Sequence, residues 1–461
     1  MKVVLNLVQK PVEIRAPREI HLAFMATPVK PMLPDWRGVD PGFLFGSGEQ
    51  YGSAPTDSIV PYDETDEFWK RMGEARKTGK FDKDWLEKFI QGVPHLGPAG
   101  SPSHSNCVSN ARRCFFSGIY NCARRGFNVR FVWYTNPRGI QYWQTAGRTY
   151  CDEWNVFEFM DMDRDFNCMS KRDYCLNPNA AFRDYAGWWY RKMALSGAMD
   201  HLYWDVSYPK ACWDLLGTEA YLRADGRIQP DLGVFDVAAL VKRAATVQAE
   251  CGKDPTGNWV HMTDTAMAQL LAFGGVNFDW EDNVAPQSFQ KKYPKDRIIA
   301  AVIGRQFGNR VKVIGHYAHT SDERDAWYRR TGTGVMLVHE LWWKSIEKVY
   351  QEKHKLLCDW GYRKPGTRVW NYWNEDEPYP LAVSGGENAT IAMARDGEAA
   401  FVLSDYTDAG GTFRVTPDAA ALGLKPGFRA YDMEDGSELK IKDGAVVVEV
   451  KPSDFRMVVL K

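Results

Sequence analysis

The sequence predicts an α/β protein in which a (β/α)8 TIM-like barrel is followed by a C-terminal antiparallel β-sandwich. Three observations favour this fold class. Short apolar strands alternate with amphipathic helices through most of the chain, two of these strands end in acidic residues, and short alternating strands replace the pattern after Gly366. Alternating strands and helices are typical of a parallel sheet with right-handed crossovers.

The N-terminal part of the chain predicts two pieces of β structure and a long loop region. Residues 1–20 alternate apolar and polar side chains, which we interpret as remnant strands of an upstream β domain. The barrel is predicted over 21–365, with its first strand at 21–31. An irregular region follows from 32 to 128, and loops of this length are uncommon unless they form a site or a lid. One further strand is predicted between 43 and 97.

From residue 129 onward the repeat becomes regular. Strands are predicted over 129–134, 201–206, 259–262, 276–280, 311–315 and 334–338, and helices over 65–77, 180–198, 236–251, 265–273, 296–307 and 341–358. Together with the two earlier strands this makes about eight, the number in a closed barrel. A doubly wound sheet is the alternative. It would normally carry a glycine-rich phosphate loop after its first strand, and no GxGxxG or Walker motif follows any candidate strand.

The last part of the chain, 366–461, predicts the β-sandwich. Alternating apolar segments lie at 390–394, 400–404, 445–450 and 455–460, and Asp and Gly turns separate them. A barrel followed by a sandwich is a common layout among glycosidases. Layout alone does not establish chemistry.

The composition narrows the classes of partner. The 58 Lys and Arg residues nearly cancel the 59 Asp and Glu residues, so no overall field favours nucleic acid or an anionic membrane surface. The chain has no run of 18 apolar residues, so the sequence predicts no transmembrane helix. The 18 Trp and 21 Tyr residues exceed what a core needs. We expect aromatic packing in a large barrel to account for most of them and carbohydrate stacking for the rest.

Two acidic strand ends form the candidate catalytic site. Asp205 ends the strand at 201–206, and Asp279 and Glu281 end the strand at 276–280. Barrel enzymes carry their catalytic residues at this end of the strands. Glycoside cleavage needs one protonated carboxyl for the departing oxygen and one ionised carboxylate for the oxocarbenium-like centre. We assign the ionised role to Asp205 and the proton to Glu281 or Asp279, since crowded like charges favour a protonated carboxyl.

The predicted substrate contacts surround these acids and combine aromatic rings with hydrogen-bonding groups. They are Tyr203, Trp204, His261, Trp280, Asp282, Arg305, His316 and Tyr317. A histidine at a strand end, such as His261, is as typical of a buried core residue as of a sugar ligand. His339 and Glu340 follow the predicted eighth strand and either line the same pocket or bridge barrel and sandwich. The predicted partner is a carbohydrate, and the chemistry requires no metal or organic cofactor.

Five short stretches carry a family resemblance: 26–31, 203–209 with Cys212 after it, 261–263, 278–281 and 371–373. They resemble bacterial glycoside hydrolase-like barrels related to glycoside hydrolase family 123. The resemblance implies a barrel with sandwich domains, an exported protein and action on a glycan. In that group a Gly-Glu pair often closes the acidic segment, whereas Trp280 occupies the position of the glycine here.

The resemblance does not transfer a mechanism. Family 123 enzymes are similar to substrate-assisted hexosaminidases, which use an adjacent Asp-Glu pair, and this chain has Glu281 and Asp282 in the reverse order. A carboxylate on the fourth strand paired with one on the sixth instead resembles the α-galactosidase-like clan. There the first carboxylate is the nucleophile and the second the acid/base.

Two other functions and the location stay open at this point. A carbohydrate-binding barrel without catalysis is one alternative, favoured by Trp280. A metal-dependent barrel hydrolase or lyase that uses His261 or His316 is the other. We predict a secreted or periplasmic bacterial protein whose leader and upstream region are absent from this chain, with a cytoplasmic location as the alternative. Whether the chain forms a homo-oligomer is also open.

Overall fold

The structure is a computed structural model, and part of the chain is described by it. The described residues are 4–6, 8, 10–11, 13, 22–33, 36–37, 49–53, 65–80, 82, 84–85, 88, 130–135, 137, 139–141, 149–150, 152–154, 158–159, 173–175, 177–197, 199–205, 207–209, 211–213, 215, 218–261, 267–279, 288–302, 304–313, 322–343, 348–407 and 409–461. No helix among them is both long enough and apolar enough to span a bilayer.

The N-terminal two thirds of the chain contain one large parallel sheet. The strands here are β1 (Glu49–Ser53), β2 (Arg130–Thr135), β3 (Gly139–Gln141), β4 (Glu158–Phe159), β5 (Asp173–Cys175), β6 (His201–Trp204), β7 (Tyr221–Leu222), β8 (Ile228–Gln229), β9 (Trp259–Val260), β10 (Val276–Asp279), β11 (Arg310–Val313) and β12 (Trp342–Trp343). Seven of them pair in the order β1-β2-β6-β9-β10-β11-β12, all parallel. This confirms the predicted parallel α/β architecture. Among the described strands no pairing joins β1 to β12, so the closed eight-stranded barrel stays a prediction.

Helices alternate with these strands. They are α1 (Thr65–Thr78), α2 (Ala180–Leu195), α3 (Val234–Glu250), α4 (Ala268–Leu271), α5 (Phe289–Lys292), α6 (Lys295–Arg297), α7 (Asp322–Val338) and α8 (Lys348–Trp360). The N-terminus of α2 is capped by Asn179, whose side chain accepts from the Phe182 N–H and so satisfies a free backbone donor. Val237, Leu240 and Val241 lie on the buried face of α3, as their helical spacing predicts.

The sheet is covered on both faces. Every residue of β6, β9 and β11 is buried, which is typical of a parallel sheet with helices on one side and a packed interior on the other. Trp204 faces the helices, since its ring contacts Tyr190 of α2 at 5.4 Å between centroids. Tyr203, its neighbour, lies on the opposite, inner face with Trp259 and Phe278.

Three predicted elements differ from the structure. The apolar run at 334–338 is the last part of α7 and not a strand, because a short apolar run cannot distinguish a buried helix from a buried strand. The following strand is β12. The helix predicted over 296–307 is divided into α6, a π-helical turn at 298–302 and a 3-10 turn at 305–307, with Gly304 between them in a left-handed conformation.

The third difference is the segment 22–33, which contains no strand. It packs instead beneath the sheet, at the N-terminal ends of β10 and β11. The Lys30 ammonium donates to the Gly274 carbonyl at 2.8 Å and to Asn309 Oδ1 at 2.7 Å. These acceptors precede the two strands, so the segment holds the loops at the lower edge of the sheet together.

The C-terminal part forms two antiparallel sheets, as predicted. Its strands are β13 (Arg368–Asn371), β14 (Leu381–Ser384), β15 (Asn388–Arg395), β16 (Glu398–Asp405), β17 (Gly411–Pro417), β18 (Ala430–Asp432), β19 (Glu438–Leu439), β20 (Ile441–Lys442), β21 (Ala445–Val450) and β22 (Phe455–Leu460). The sheet orders are β13-β15-β16-β22-β18-β19 and β14-β17-β21-β20. Residues of both sheets share one apolar core, for example Phe401 and Phe413.

The two parts of the chain also share a core. Val335 of α7 lies in one cluster with Met457 of β22. At Gly334 an added Cβ would lie 2.8 Å from the Cβ of Phe455, so glycine permits the close approach of α7 to the antiparallel sheet. Arg330 strengthens this contact through ion pairs to Glu434 at 2.9 Å and Asp454 at 2.7 Å.

Candidate active site

The candidate site lies where three adjacent parallel strands end. In the parallel pairing of these strands, Val260 of β9 lies opposite Trp204 of β6 on one side and opposite Asn277 of β10 on the other. Asp205 and His261 follow β6 and β9 directly and are therefore level with each other. Their backbones continue the ladder, because the His261 N–H donates to the Trp204 carbonyl at 2.8 Å.

Asp205, His261 and Tyr203 form one hydrogen-bonded group. His261 Nδ1 lies 2.8 Å from Asp205 Oδ1 and 2.6 Å from the Tyr203 hydroxyl. The same hydroxyl lies 3.5 Å from Asp205 Oδ1. The His261 side chain is 1% exposed and the Asp205 side chain 18% exposed. The acid is thus held by two buried neighbours and is still partly exposed.

The geometry favours one tautomer of His261. A carboxylate oxygen at 2.8 Å would repel the lone pair of an unprotonated ring nitrogen, so we assign a proton to Nδ1. This N–H then donates to Asp205, and the Tyr203 hydroxyl shares the same corner of the ring. Such donors stabilise the charged form of a carboxylate and fix its orientation. Asp205 is therefore suited to remain ionised.

Aromatic side chains pack beneath this group. Phe278 lies 5.5 Å from Tyr203, 5.2 Å from Trp259 and 5.4 Å from His261 between ring centroids, all in tilted or edge-on arrangements. The Lys312 ammonium lies 5.0 Å from the Trp259 ring centroid. These contacts restrict the rotamers of Tyr203 and His261, since edge-on aromatic pairs prefer defined geometries.

The second acidic strand end lies close by along the sheet. Asp279 is the last residue of β10, is paired with Val313 of β11, and lies outside the part of the chain whose side chains are described. One strand, β9, separates β10 from β6. At about 4.8 Å between neighbouring strands, the ends of β6 and β10 are about 10 Å apart. The predicted Trp280, Glu281, Asp282, His316 and Tyr317 lie outside the described residues.

Two predicted substrate contacts lie elsewhere. Trp204 is fully buried against the helix layer, on the face of the sheet opposite to Tyr203. Strand alternation places adjacent residues on opposite faces, so only one of the two aromatic residues can lie on the same face as Asp205. Arg305 precedes β11 and lies at the lower edge of the sheet, away from Asp205. The structure brings Tyr203, His261 and Asp205 together and leaves Trp204 and Arg305 apart from them.

Arg305 belongs to a buried polar cluster around Glu340. Glu340 precedes β12, and its side chain is 1% exposed. Arg37 donates to both carboxylate oxygens and Arg305 to Oε2. Tyr362 donates to Oε1 at 2.8 Å and the Asn371 amide to Oε2 at 3.0 Å. Burial raises the pKa of Tyr362 to about 12, so its hydroxyl keeps its proton. We call these five residues the Glu340 hub.

The hub settles the role left open for His339 and Glu340. Asn371 belongs to β13 and Tyr362 to the turn before it, while Arg305 belongs to the parallel-sheet region. His339 bonds to the Tyr372 hydroxyl at 2.8 Å and stacks on Trp373 at 5.4 Å. Both residues therefore bridge the two parts of the chain.

Three residues that were not among the predicted site residues pack beneath Asp205, His261 and Tyr203. Trp259 and Phe278 support the site, but apolar residues in a buried strand give no signal beyond core packing. Lys312 gave a signal, because a charged residue stands between two valines in a buried strand. Within the described residues no three His, Cys, Asp or Glu side chains lie close enough together to hold a metal ion.

The chain is similar in structure to several glycoside hydrolases. A GH27 β-L-arabinopyranosidase from Geobacillus stearothermophilus is 11% identical, with 90% of this chain and 96% of that chain covered and a TM-score of 0.45. A maltogenic α-amylase from Thermotoga neapolitana is 8% identical over 89% and 98% of the two chains, also at 0.45. A GH36 α-galactosidase from G. stearothermophilus is 11% identical over 89% and 55%, at 0.45.

No family model matches the chain. No curated protein matches it either. The predicted relation to family 123 is not among these findings and stays a prediction.

Proposed function

We propose that this protein is a glycoside hydrolase that cleaves a glycosidic bond in an oligo- or polysaccharide with Asp205 as its ionised carboxylate. The observation that carries the proposal is the group of Asp205, His261 and Tyr203 at the C-terminal edge of the parallel sheet. Its carboxylate is oriented by His261 at 2.8 Å and by the Tyr203 hydroxyl at 3.5 Å, and is still 18% exposed. Strand ends at this edge carry the catalytic residues of barrel enzymes.

Asp205 acts on the sugar carbon from one side of the bond. As bond breaking proceeds, positive charge develops on the anomeric centre, and an ionised carboxylate either stabilises this charge or attacks the carbon. The His261 N–H and the Tyr203 hydroxyl hold one oxygen of Asp205 in place. A fixed orientation lowers the entropy cost of reaching the transition state.

The proton for the leaving oxygen comes from the acidic residues at the end of β10. Glu281 is our first assignment, because it follows a strand whose end is about 10 Å from that of β6, and Asp279, the last residue of that strand, is the second. This spacing fits a substrate bound between the two strand ends. Two carboxyl groups about 5 Å apart produce retention at the anomeric carbon, and groups about 6.5–9.5 Å apart produce inversion.

The finer features remain parts of the proposal. A closed barrel, a relation to family 123, export from a bacterial cell and a carbohydrate partner are each consistent with this chemistry. The Glu340 hub, which joins the parallel-sheet region to the antiparallel sheets, would keep the two parts in one orientation during catalysis.

The main test compares two aspartates that flank the same strand. The purified chain is incubated with a panel of glycans and aryl glycosides, and release of reducing sugar is measured. We expect Asp205→Asn to lower kcat/KM at least about 10³-fold. Asp200, which precedes β6 at its other end and lies 3.8 Å from Lys253, provides the matched control Asp200→Asn with near wild-type activity. Equal rates for Asp205→Asn and wild type would remove Asp205 from the mechanism.

The proton donor is identified by leaving-group dependence. A dinitrophenyl glycoside departs without protonation, whereas an alkyl glycoside needs the proton. We expect Glu281→Gln to lose about 10³-fold on the alkyl glycoside and less than about tenfold on the dinitrophenyl glycoside. If Asp279→Asn shows this pattern instead, the donor is Asp279. If neither variant shows it, the proton comes from another residue.

A further inference from the structure

A buried lysine lies on the inner face of the parallel sheet. Lys312 belongs to β11 and is 1% exposed. Its neighbours Val311 and Val313 face the other way, because both belong to the core cluster that contains Val335 of α7. Lysine is rarely buried completely, since removing an ammonium group from water is costly. A buried lysine at a strand end therefore indicates a role for its charge.

Lys312 lies in the same row of the sheet as Asp205. It is paired with Phe278 of β10, and paired residues of neighbouring strands share a face of the sheet. Phe278 contacts His261 at 5.4 Å between ring centroids, and His261 bonds to Asp205 at 2.8 Å. One row thus crosses four adjacent strands, β6, β9, β10 and β11, from the carboxylate to the lysine.

The side chain of Lys312 extends back along the sheet toward Asp205. At about 4.8 Å between neighbouring strands, its backbone is about 14 Å from β6. Its ammonium nevertheless lies 5.0 Å from the ring centroid of Trp259, a residue of the strand next to β6. Tyr203, which borders Asp205, lies 6.2 Å from the same ring. The positive charge is therefore within the aromatic layer that packs beneath the carboxylate.

We propose that Lys312 is a positioning residue whose buried charge keeps Asp205 ionised. This inference rests on the proposed function, in which Asp205 is the ionised carboxylate. Lys312 does not touch the substrate and acts through its electric field. A charge inside a protein is screened much less than a charge at the surface, and a nearby cation favours the ionised form of a carboxylate.

Other charged and titratable groups surround Asp205. His261 of β9 and the Tyr203 hydroxyl of β6 lie within 3.5 Å of its carboxylate. Arg310, also of β11, is 3% exposed and lies one row lower, since it is paired with Val276. Of these two cations of β11, Lys312 is the one in the row of Asp205. On β10, the side chain of Asp279 lies outside the described residues.

The pH profile of kcat/KM tests the proposal. The acidic limb of this profile reports the ionisation of the essential carboxylate in the free enzyme. Lys312→Met removes the charge and keeps an unbranched apolar stem against Trp259. We expect the midpoint of the acidic limb to rise by about one pH unit, because a carboxylate without its cation gains a proton more readily.

Two further variants separate charge from packing. Lys312→Arg keeps a positive charge and should restore most of the wild-type acidic limb. Lys253→Met removes a lysine that lies 3.8 Å from Asp200, at the other end of β6, and should leave the limb unchanged. Circular dichroism checks the fold of each variant. If Lys312→Met does not fold, Lys312→Gln takes its place as the neutral variant.

A titration without substrate distinguishes failure of this inference from failure of the proposed function. The infrared band of a protonated carboxyl group appears as Asp205 gains its proton, and its absence in Asp205→Asn assigns it. Its midpoint should rise by about one pH unit in Lys312→Met. If the wild type cleaves no glycan, the proposed function fails, and this titration still decides whether Lys312 keeps Asp205 ionised.

Three outcomes overturn the inference and leave the proposed function intact. In the first, Lys312→Met and wild type share the same acidic limb and the same infrared midpoint. In the second, Lys312→Arg shifts the limb as far as Lys312→Met does, which assigns the effect to packing and not to charge. In the third, only the basic limb moves, which places the lysine's effect on the proton donor and not on Asp205.

Discussion

Asp205 and Glu340 are two carboxylates at opposite ends of the same parallel sheet. Asp205 follows β6, is 18% exposed and contacts a histidine and a phenol. Glu340 precedes β12, is 1% exposed, and contacts two arginines, an amide and a phenol. It also has a φ of 56°, a left-handed conformation that costs about 1 kcal/mol or more outside glycine. Its contacts must outweigh this strain.

The difference distinguishes a structural acid from a chemical one. A carboxylate whose two oxygens are both saturated by cations has no capacity left for a substrate, and removing it leaves buried positive charge. A carboxylate that is held on one oxygen and is partly exposed can gain interactions in a transition state. The exposure of the carboxylate and the kind of group that donates to it therefore distinguish Asp205 from Glu340, although both residues are acidic and both lie next to a strand.

The largest expected contrast is in turnover. Asp205→Asn should lower turnover at least about 10³-fold, which is about 4 kcal/mol of barrier height. Glu340→Gln should leave the turnover of the folded fraction within about threefold of wild type, since the hub lies at the other edge of the sheet. Initial rates normalised to the folded concentration check this. A large loss in folded Glu340→Gln would join the hub to the active site.

The reverse contrast is expected in stability. Glu340→Gln leaves Arg37 and Arg305 without their anion and should lower the free energy of unfolding by about 3 kcal/mol. Asp205→Asn should change it by less than about 1 kcal/mol. Urea unfolding measures both. The control is Glu377→Gln, which removes a surface pair with Arg368 at 3.2 Å and should cost less than about 1 kcal/mol.

The sequence predicts those helices and strand-end residues whose position depends on the spacing of apolar residues along the chain. Helix α3 follows from a helical repeat, and Asp205 and His261 follow from their place after apolar strands. Tyr203 and Trp204 show where this reasoning ends. Both residues precede Asp205, and alternation says only that they face opposite ways. Which of them lies on the inner face of the sheet depends on the register and the helix packing.

Long-range contacts could not be predicted in this way. Arg37 lies 303 residues before Glu340, and no local pattern pairs them. The apolar run at 334–338 fits a buried strand and a buried helix equally well by sequence. The contact of α7 with β22, which only the structure shows, identifies it as helix. The acids after β10 are indicated by sequence, and their roles depend on the distances that the two variants above test.

A smaller effect on turnover is expected for the residue that positions Asp205. Tyr203→Phe removes a hydroxyl 2.6 Å from His261 Nδ1 and keeps the ring that packs on Phe278. We expect a loss of about tenfold in kcat with little change in KM, because one orienting hydrogen bond is worth about 1 kcal/mol. The acidic limb of the kcat/KM profile should also shift, which a purely structural role would not cause. An unchanged profile would contradict a positioning role.

The stability of the hub side is also expected to depend on pH. His339 is fully buried, and burial lowers its pKa to about 4, with Arg305 and Lys295 acting in the same direction. An unfolded histidine titrates near 6.5, so the unfolded chain binds the proton more tightly than the folded one. The stability contributed by neutral His339 is therefore complete above about pH 6.5 and decreases as the pH falls toward 4.

The measurement is the free energy of unfolding in urea between pH 7 and pH 4. The slope due to one such histidine approaches about 1.4 kcal/mol per pH unit. His354 is also buried, with a pKa lowered to about 3 by burial and by Arg363, and contributes a similar slope in wild type. His339→Asn should reduce the slope by about half, whatever its effect on the absolute stability at pH 7, because asparagine does not titrate. An identical slope in wild type and His339→Asn would mean that His339 gains a proton without disrupting its contacts to Val335 and Tyr372, and the hub side would then not set the acid limit of folding.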